Sequence, residues 1–183
     1  MSTPIPPLPG GPSDEQLMER VVSGDAAAYR ALFERHGDRV YGYLSRLSGD
    51  AERGADLTQE TFLRVWRSRS TWTPGRPVRP WIFGIAANAA RDAARARGRR
   101  PEEVELGPHH APSHSPAAGQ GRDLERALAA LPDPLREAFL LAVVEGLDHN
   151  ELGHQLQISP DNARARVSRA RAALRRALDG GAG

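Results

Sequence analysis

The chain has 183 residues and a formal charge of +2, from 25 basic and 23 acidic residues. Its basic set is arginine throughout, with no lysine, and it has no cysteine, which excludes disulfides, thiolate catalysis and cysteine-ligated zinc. The longest apolar run, "AFLLAVV" at 138–144, is far short of a membrane span, so a soluble, cytoplasmic protein that is not membrane-embedded is expected.

The length fits one medium domain or two small ones. The opening "MSTPIPPLPGGP" lacks the basic start and apolar stretch of a signal peptide and reads as a disordered, proline-rich leader over 1–13. Ser13 then opens a helix, and Gln16 three residues on completes a capping box. From Ala26 the apolar positions Tyr29, Leu32, Phe33, Val40, Leu44 and Leu47 recur at helical spacing. "GDAERGAD" breaks that pattern near 49–56, and a further helix runs through "DLTQETFLRVWRS". "TWTPGRPVRPW" interrupts, with Thr73-Pro74-Gly75 as a turn. The next helix is expected from Trp81 to about Arg97.

Residues 101–121, "PEEVELGPHHAPSHSPAAGQG", have the composition of a flexible linker. Helical patterning resumes in "LERALAAL". Asp133-Pro134 reads as an N-cap and first helical residue, and Gly146 as a stop. Asp148 with Glu151 makes a capping box for a short helix, and Ser159-Pro160 starts the last one. No stretch alternates with period two. The expected fold is all-α, with two small helical domains at 14–100 and 122–180.

A short helix, a tight turn and a longer basic helix form the pattern of a helix-turn-helix. The last helix, "ARARVSRARAALRRAL" at 163–178, holds six arginines and no acid. On a helical wheel Ala163, Val167, Ala170, Leu174 and Leu178 make the inward stripe. Ala165, Ser168, Arg169 and Ala172 lie opposite, flanked by Arg164, Arg171 and Arg175 on one side and Arg166 on the other. A merely solvated helix is expected to interleave acids for i,i+4 pairing; this one points to DNA. Arginine keeps its charge and grips phosphate and guanine in a bidentate fork. Residues in the first half of such a helix usually read bases, and arginines farther along meet phosphate.

The helix at 56–66 has a different logic. Leu57, Thr61, Phe62 and Val65 form a buried side; Asp56, Gln59, Glu60, Leu63 and Arg67 share the other face. An outward leucine ringed by carboxylates has the form of a small protein interface. No histidine completes a metal-ligand spacing with Asp56 and Glu60, so no catalytic residues, metal or cofactor are expected there.

Taken together these segments resemble an extracytoplasmic-function (ECF) RNA polymerase sigma factor of the sigma-70 family. The resemblance runs from Asp14 to Leu178. It rests on "SGDAAAYRALFERHGDRVYGYLSRL", "DLTQETFLRVWRS", "PGRPVRPWIFGIAAN" and "ALAALPDPLREAFLLAVVEGLDHNELGHQLQISPDNARARVSRARAALRRAL" in that order. It implies a non-enzymatic factor that binds core RNA polymerase and directs it to promoter DNA. Residues 14–100 correspond to sigma region 2 and 122–180 to sigma region 4. Asp56, Gln59, Glu60 and Leu63 are then the residues that dock on the β′ clamp helices, with the β flap as the second polymerase contact. Trp72, Arg76, Arg79, Asn88, Arg91 and Arg95 are candidates for recognising and melting the minus-ten element; Trp81 is assigned to the core. Arg164, Ala165, Ser168 and Arg169 occupy base-facing positions for the minus-thirty-five element, with Arg166 on phosphate or bracing the fold. The resemblance also implies an anti-sigma partner, and a linker whose Glu102, Glu103 and Glu105 thread the RNA path.

Some positions depart from the family pattern. Gly84 and Ala87 stand where arginine is common. Gly153 and Gln155 replace a small-then-aliphatic pair, and Gln157 stands where glycine makes the turn, so a non-glycine residue is expected there at positive φ, at a cost of about 1 kcal/mol. His109, His110 and His114 in the linker are read as solvated rather than metal-binding.

Overall fold

The computed structural model describes residues 11–98 and 120–179. The leader over 1–10, and the segment 99–119 with Glu102, Glu103, Glu105, His109, His110 and His114, lie outside the described residues.

Eight α-helices carry the fold, and the described residues contain no strand. In chain order they are α1 (Asp14–Val22), α2 (Ala26–Ser48), α3 (Ala51–Arg67), α4 (Val78–Gly98), α5 (Gln120–Ala129), α6 (Asp133–Phe139), α7 (His149–Leu156) and α8 (Pro160–Asp179). A 3-10 turn at Arg69–Thr71 follows α3, and a π-helical turn at Leu140–Val144 follows α6. Both expected capping boxes form, at Ser13/Gln16 and Asp148/Glu151. Ser159 caps α8, accepting from the Asn162 amide at 3.2 Å.

Four local readings are corrected. The break after α2 is confined to Gly49 and Asp50: Gly49 takes a left-handed conformation, and the Asp50 carboxylate caps α3. Gly54, which looked like part of a breaker, is instead a contact between helices. A Cβ there would lie 2.1 Å from Ser45 Oγ, so only glycine lets α2 and α3 approach this closely. The helix expected from Trp81 begins a turn earlier, at Val78. Asp133 is already helical and Pro132 is the N-cap residue; Asp133 pairs with Arg136 rather than capping.

The apolar stripes of α1–α4 converge on Met18, Leu32, Val40, Leu44, Val65, Ile82 and Phe83, all fully buried. Each such side chain is worth roughly 1.5–3 kcal/mol relative to exposure. Tyr29 donates to the Phe62 carbonyl at 2.8 Å and Tyr43 meets Phe83 edge-on at 5.6 Å. Phe33, expected inside, is 44% exposed, with its ring edge on Phe62 at 4.8 Å. In the second group, Leu152 and Leu156 of α7 pack beside Ala163, Val167, Ala170 and Leu174 of α8. Leu178 departs from the expected stripe and is 39% exposed. The turn before α8 folds onto α7: a Cβ on Gly153 would lie 2.9 Å from the Ile158 carbonyl oxygen, so this position needs glycine. Gln157 takes φ 54°, as expected.

The two groups also pack on each other. α2 meets α5, α6 and the π-helical turn, while α4 meets α7, and one apolar cluster runs through both.

Candidate nucleic-acid interface

The outer face of α3 is set by the side that α3 buries. Leu57, Thr58, Thr61, Phe62 and Val65 point inward. Asp56, Gln59 and Leu63 are left exposed and Glu60 half-buried, as expected from their spacing. Leu63 is 49% exposed, an apolar anchor with a polar surround. A groove of about 440 Å³ opens between α2 and α3, lined by Phe33, Gly37, Tyr41, Thr58 and Gln59 among others. Glu60 is engaged within the chain, with Arg64 at 2.7 Å.

The candidates around α4 divide into three sets. Arg76, Asn88 and Arg95 are exposed. Asn88 lines a shallow hollow of about 340 Å³ with Arg64, Arg67, Ser68 and Ile85. The basic part of that hollow comes from Arg64 and Arg67 in the last turn of α3; Arg67 is expected on the outer face, and helical spacing alone gives Arg64 no role. The signal was present in the arginines three residues apart that follow the docking motif. Trp72 is corrected: it is 3% exposed and its indole Nε1 donates to the Arg76 carbonyl at 3.2 Å. An indole in the core has no free face for a base to stack on, so Trp72 positions the loop carrying Arg76. Trp81, assigned to the core, is partly buried against it.

Arg79 and Arg91 form the third set, and both face the second helical group. Arg91 Nη2 donates to the Gln155 carbonyl at 3.0 Å, and its Nε lies 3.6 Å from Glu137 Oε1. Arg79 reaches Gly146 and acts electrostatically on Glu145, which is only 2% exposed. Burial pushes the Glu137 carboxyl up, against the pull of Arg91 and Arg166. Burial likewise raises Glu145, with Arg79, Arg39, Arg46 and His36 opposing it. The Tyr43 phenol in the same seam is pushed well above its ordinary value by burial and by Glu137.

On α8 the expected geometry holds for the outer face. Arg164, Ala165, Ser168 and Arg169 are exposed, as are Arg171, Arg175 and Arg176. Arg164 touches Asp161 at 3.4 Å, an exposed pair of little energetic weight. Arg169 Nε donates to the Ala165 carbonyl at 3.3 Å. Arg166 is half-buried and turned toward Glu137. A basic face with no acid between Asp161 and Asp179 at the two ends of α8 suits phosphate contact and major-groove entry.

Comparisons with known proteins give the family. Residues 32–100 match the family model of Sigma-70 region 2, and residues 121–174 that of Sigma-70, region 4. The chain is 41% identical to the RNA polymerase sigma factor CarQ of Myxococcus xanthus, over 88% of this chain and 95% of that protein. It is 38% identical to the ECF RNA polymerase sigma factor SigE of Mycolicibacterium smegmatis, over 90% of this chain and 68% of that protein. Its structure is similar to that of CnrH in complex with the cytosolic domain of CnrY, with TM-score 0.69 and 26% identity over 91% of this chain and 97% of that one. The sigma factor RpoE of Bartonella quintana, solved with the anti-sigma factor NepR, shares the fold at TM-score 0.70 and 23% identity, over 82% and 96% of the two chains. The chain belongs to the ECF RNA polymerase sigma factors.

Proposed function

We propose that this chain binds core RNA polymerase through α3 and delivers it to promoters carrying two spaced elements. The observation that carries this reading is the pairing of two unlike exposed faces: Leu63 with Asp56, Gln59 and Glu60 on α3, and the arginine-rich face of α8. Asp56, Gln59, Glu60 and Leu63 dock on the β′ clamp helices. Arg76, Asn88 and Arg95 meet the minus-ten element, joined by Arg79 and Arg91 once these are released from the second helical group. Arg164, Ala165, Ser168 and Arg169 read the minus-thirty-five element, and Arg166 braces α8 near Glu137. The residues at 14–100 and 122–180 thus act as the two working domains, in the cytoplasm, with neither catalysis nor cofactor.

A regulatory protein is the remaining partner. CnrH was solved with the cytosolic domain of CnrY, and RpoE with the anti-sigma factor NepR; by analogy an anti-sigma factor controls this chain too. No helix among the described residues is long and apolar enough to cross a membrane.

Run-off transcription with core polymerase and genomic promoter fragments tests the reading. Promoter-dependent transcripts are expected from the wild-type chain. They should be lost from an Asp56→Arg/Glu60→Arg variant that keeps its helical circular dichroism, because reversing charge at a docked face costs several kcal/mol. No complex with core and no transcript from any promoter overturns it.

A further inference from the structure

Two positions that depart from the family pattern, Gly84 and Gln155, meet across the boundary between the two helical groups. Gly84 is buried in α4, and a Cβ there would lie 2.2 Å from Gln155 Oε1 and 2.8 Å from both other terminal atoms of that carboxamide. The bare glycine backbone is therefore the floor on which Gln155 sits. From that floor Gln155 Nε2 donates to the Pro80 carbonyl at 2.6 Å. The Gln155 carbonyl accepts from Arg91 Nη2 at 3.0 Å. Gln155 is thus gripped by α4 through both its side chain and its main chain.

The surroundings of this contact are polar and poorly satisfied. Tyr43 Oη, Arg79 Nε, Glu137 Oε1 and Glu145 Oε2 are buried without a hydrogen-bond partner. Burying such groups without good bonds carries a desolvation cost, which opening the seam to water relieves. The apolar cluster shared by the two groups favours closure, and the bonds at Gln155 are the shortest polar ties that add to it. In the same closed state Glu137 and Glu145 lie against Arg91 and Arg79, so two carboxylates take the place that phosphates would occupy.

We propose that Gly84 and Gln155 form an inter-domain latch that holds the free chain closed, with Arg79 and Arg91 sequestered from nucleic acid until the domains separate. The inhibitory half of this proposal rests on the reading above that Arg79 and Arg91 contact promoter DNA; the latch itself does not. Separation of the domains exposes both arginines and hydrates the seam in one step. The closed and open states are then the two populations that a partner or polymerase biases.

The chain's lack of cysteine makes a clean distance measurement possible. Spin labels at Glu19→Cys on α1 and Ala177→Cys on α8, both exposed positions, report the inter-domain distance in the full chain by pulsed electron resonance. A single narrow distance is expected without substitution in the latch. Gln155→Ala should broaden and lengthen it. Gly84→Ala should do the same, because the new methyl expels the carboxamide, while alanine favours helix in α4 itself. A melting curve no lower than that of the parent separates this from unfolding. The double variant should be no more open than either single one, since each removes the same contact. Free-chain binding to promoter duplex without polymerase should rise at least several-fold in Gln155→Ala. A broad distance distribution in the parent, or a narrow one retained in Gln155→Ala, overturns the latch. Opening without any gain in duplex binding overturns the sequestration, and neither result depends on whether the chain supports run-off transcription.

Discussion

Arg64 on α3 binds Asp92 on α4 at 2.7 Å, and the same guanidinium holds Glu60 at 2.7 Å. Asp92 in turn pairs with Arg95 at 2.7 Å. Alternating charge therefore runs from the proposed polymerase face to the proposed DNA face. The bond to Glu60, then that to Asp92, holds Arg64 above its ordinary value, and the bond to Arg64 chiefly holds Asp92 below the usual carboxylate range.

The side chains in this line are 34% to 66% exposed, so each pair contributes only about 0.2–1 kcal/mol to stability. Arg64→Ala is expected to lower the unfolding free energy in urea by about 1 kcal/mol or less. Its effect on promoter binding in the presence of core should be larger. The substitution removes positive charge from the hollow beside Asn88 and leaves the Asp92 carboxylate half-neutralised there. Several-fold weaker promoter complexes are expected, recovered in part by adding Asp92→Asn. A stability loss well above 2 kcal/mol would instead mark the network as structural.

Much of the fold was legible in the sequence because the signals were local. The boxes at Ser13/Gln16 and Asp148/Glu151 need only residues three apart, and the buried side of α3 follows from helical spacing alone. What the sequence hid was decided by partners far along the chain. Gly54 looked like a breaker until Ser45 was placed against it. Phe33 fits the apolar spacing of α2 yet leaves much of its ring outside the core. Trp72 looked free for a base because nothing local showed that its indole would turn inward. Gly84 and Gln155 looked like two unrelated departures; their contact exists only when the two helical groups are packed together. The outer face of α8 needed no such partner, and its arginines stand where the wheel put them.

Those arginines should differ in what they contribute. Arg169 lies beside Ala165 and Ser168 on the outermost face, where a side chain can reach base edges. Arg175 lies farther along α8, also exposed, at a position proposed to meet phosphate. Arg169→Ala should cost about 1–3 kcal/mol at promoters with the preferred base and relax the choice of promoter. Arg175→Ala should weaken all promoters alike and reduce the salt slope of binding by about 1. Promoter-library transcription at several salt concentrations distinguishes them. The same shift in promoter set from both variants would refute this division of labour.

Acid should loosen the tie between α1 and α2. Asp14 binds His36 Nε2 at 2.7 Å and Arg35 at 2.9 Å, and it sits in the first turn of α1, where the helix dipole favours an anion. The bond to His36 is the chief cause that lowers the Asp14 carboxyl below 3.8. The native state then binds fewer protons than the unfolded chain in this range. Its stabilisation is fully present above the unfolded value of about 3.8 and is lost as pH falls through the lower native one. Asp14→Asn should therefore cost roughly 1 kcal/mol at neutral pH, with the gap to wild type closing below about pH 4. Urea titrations between pH 6 and 3 measure it. A gap that stays constant to pH 3 would assign the loss to side-chain shape rather than charge.

Gln157 ends α7 at φ 54° and ψ 45°, with its amide directed to the Gly153 and His154 carbonyls. A side chain in this region brings Cβ close to the following carbonyl oxygen, at about 1–2 kcal/mol. The Gln157 side chain is exposed, so little packing offsets that strain. Glycine removes the strain and adds freedom to the unfolded chain, which takes back part of the gain. Gln157→Gly is therefore expected to stabilise the chain by about 0.5–1 kcal/mol, and Gln157→Asn by less, since asparagine tolerates this conformation better than most residues. Gln157→Val should destabilise, because branching at Cβ sharpens the clash. Thermal melts of the three variants rank them, and a Gln157→Gly variant no more stable than wild type would mean that the turn carries no strain for glycine to relieve.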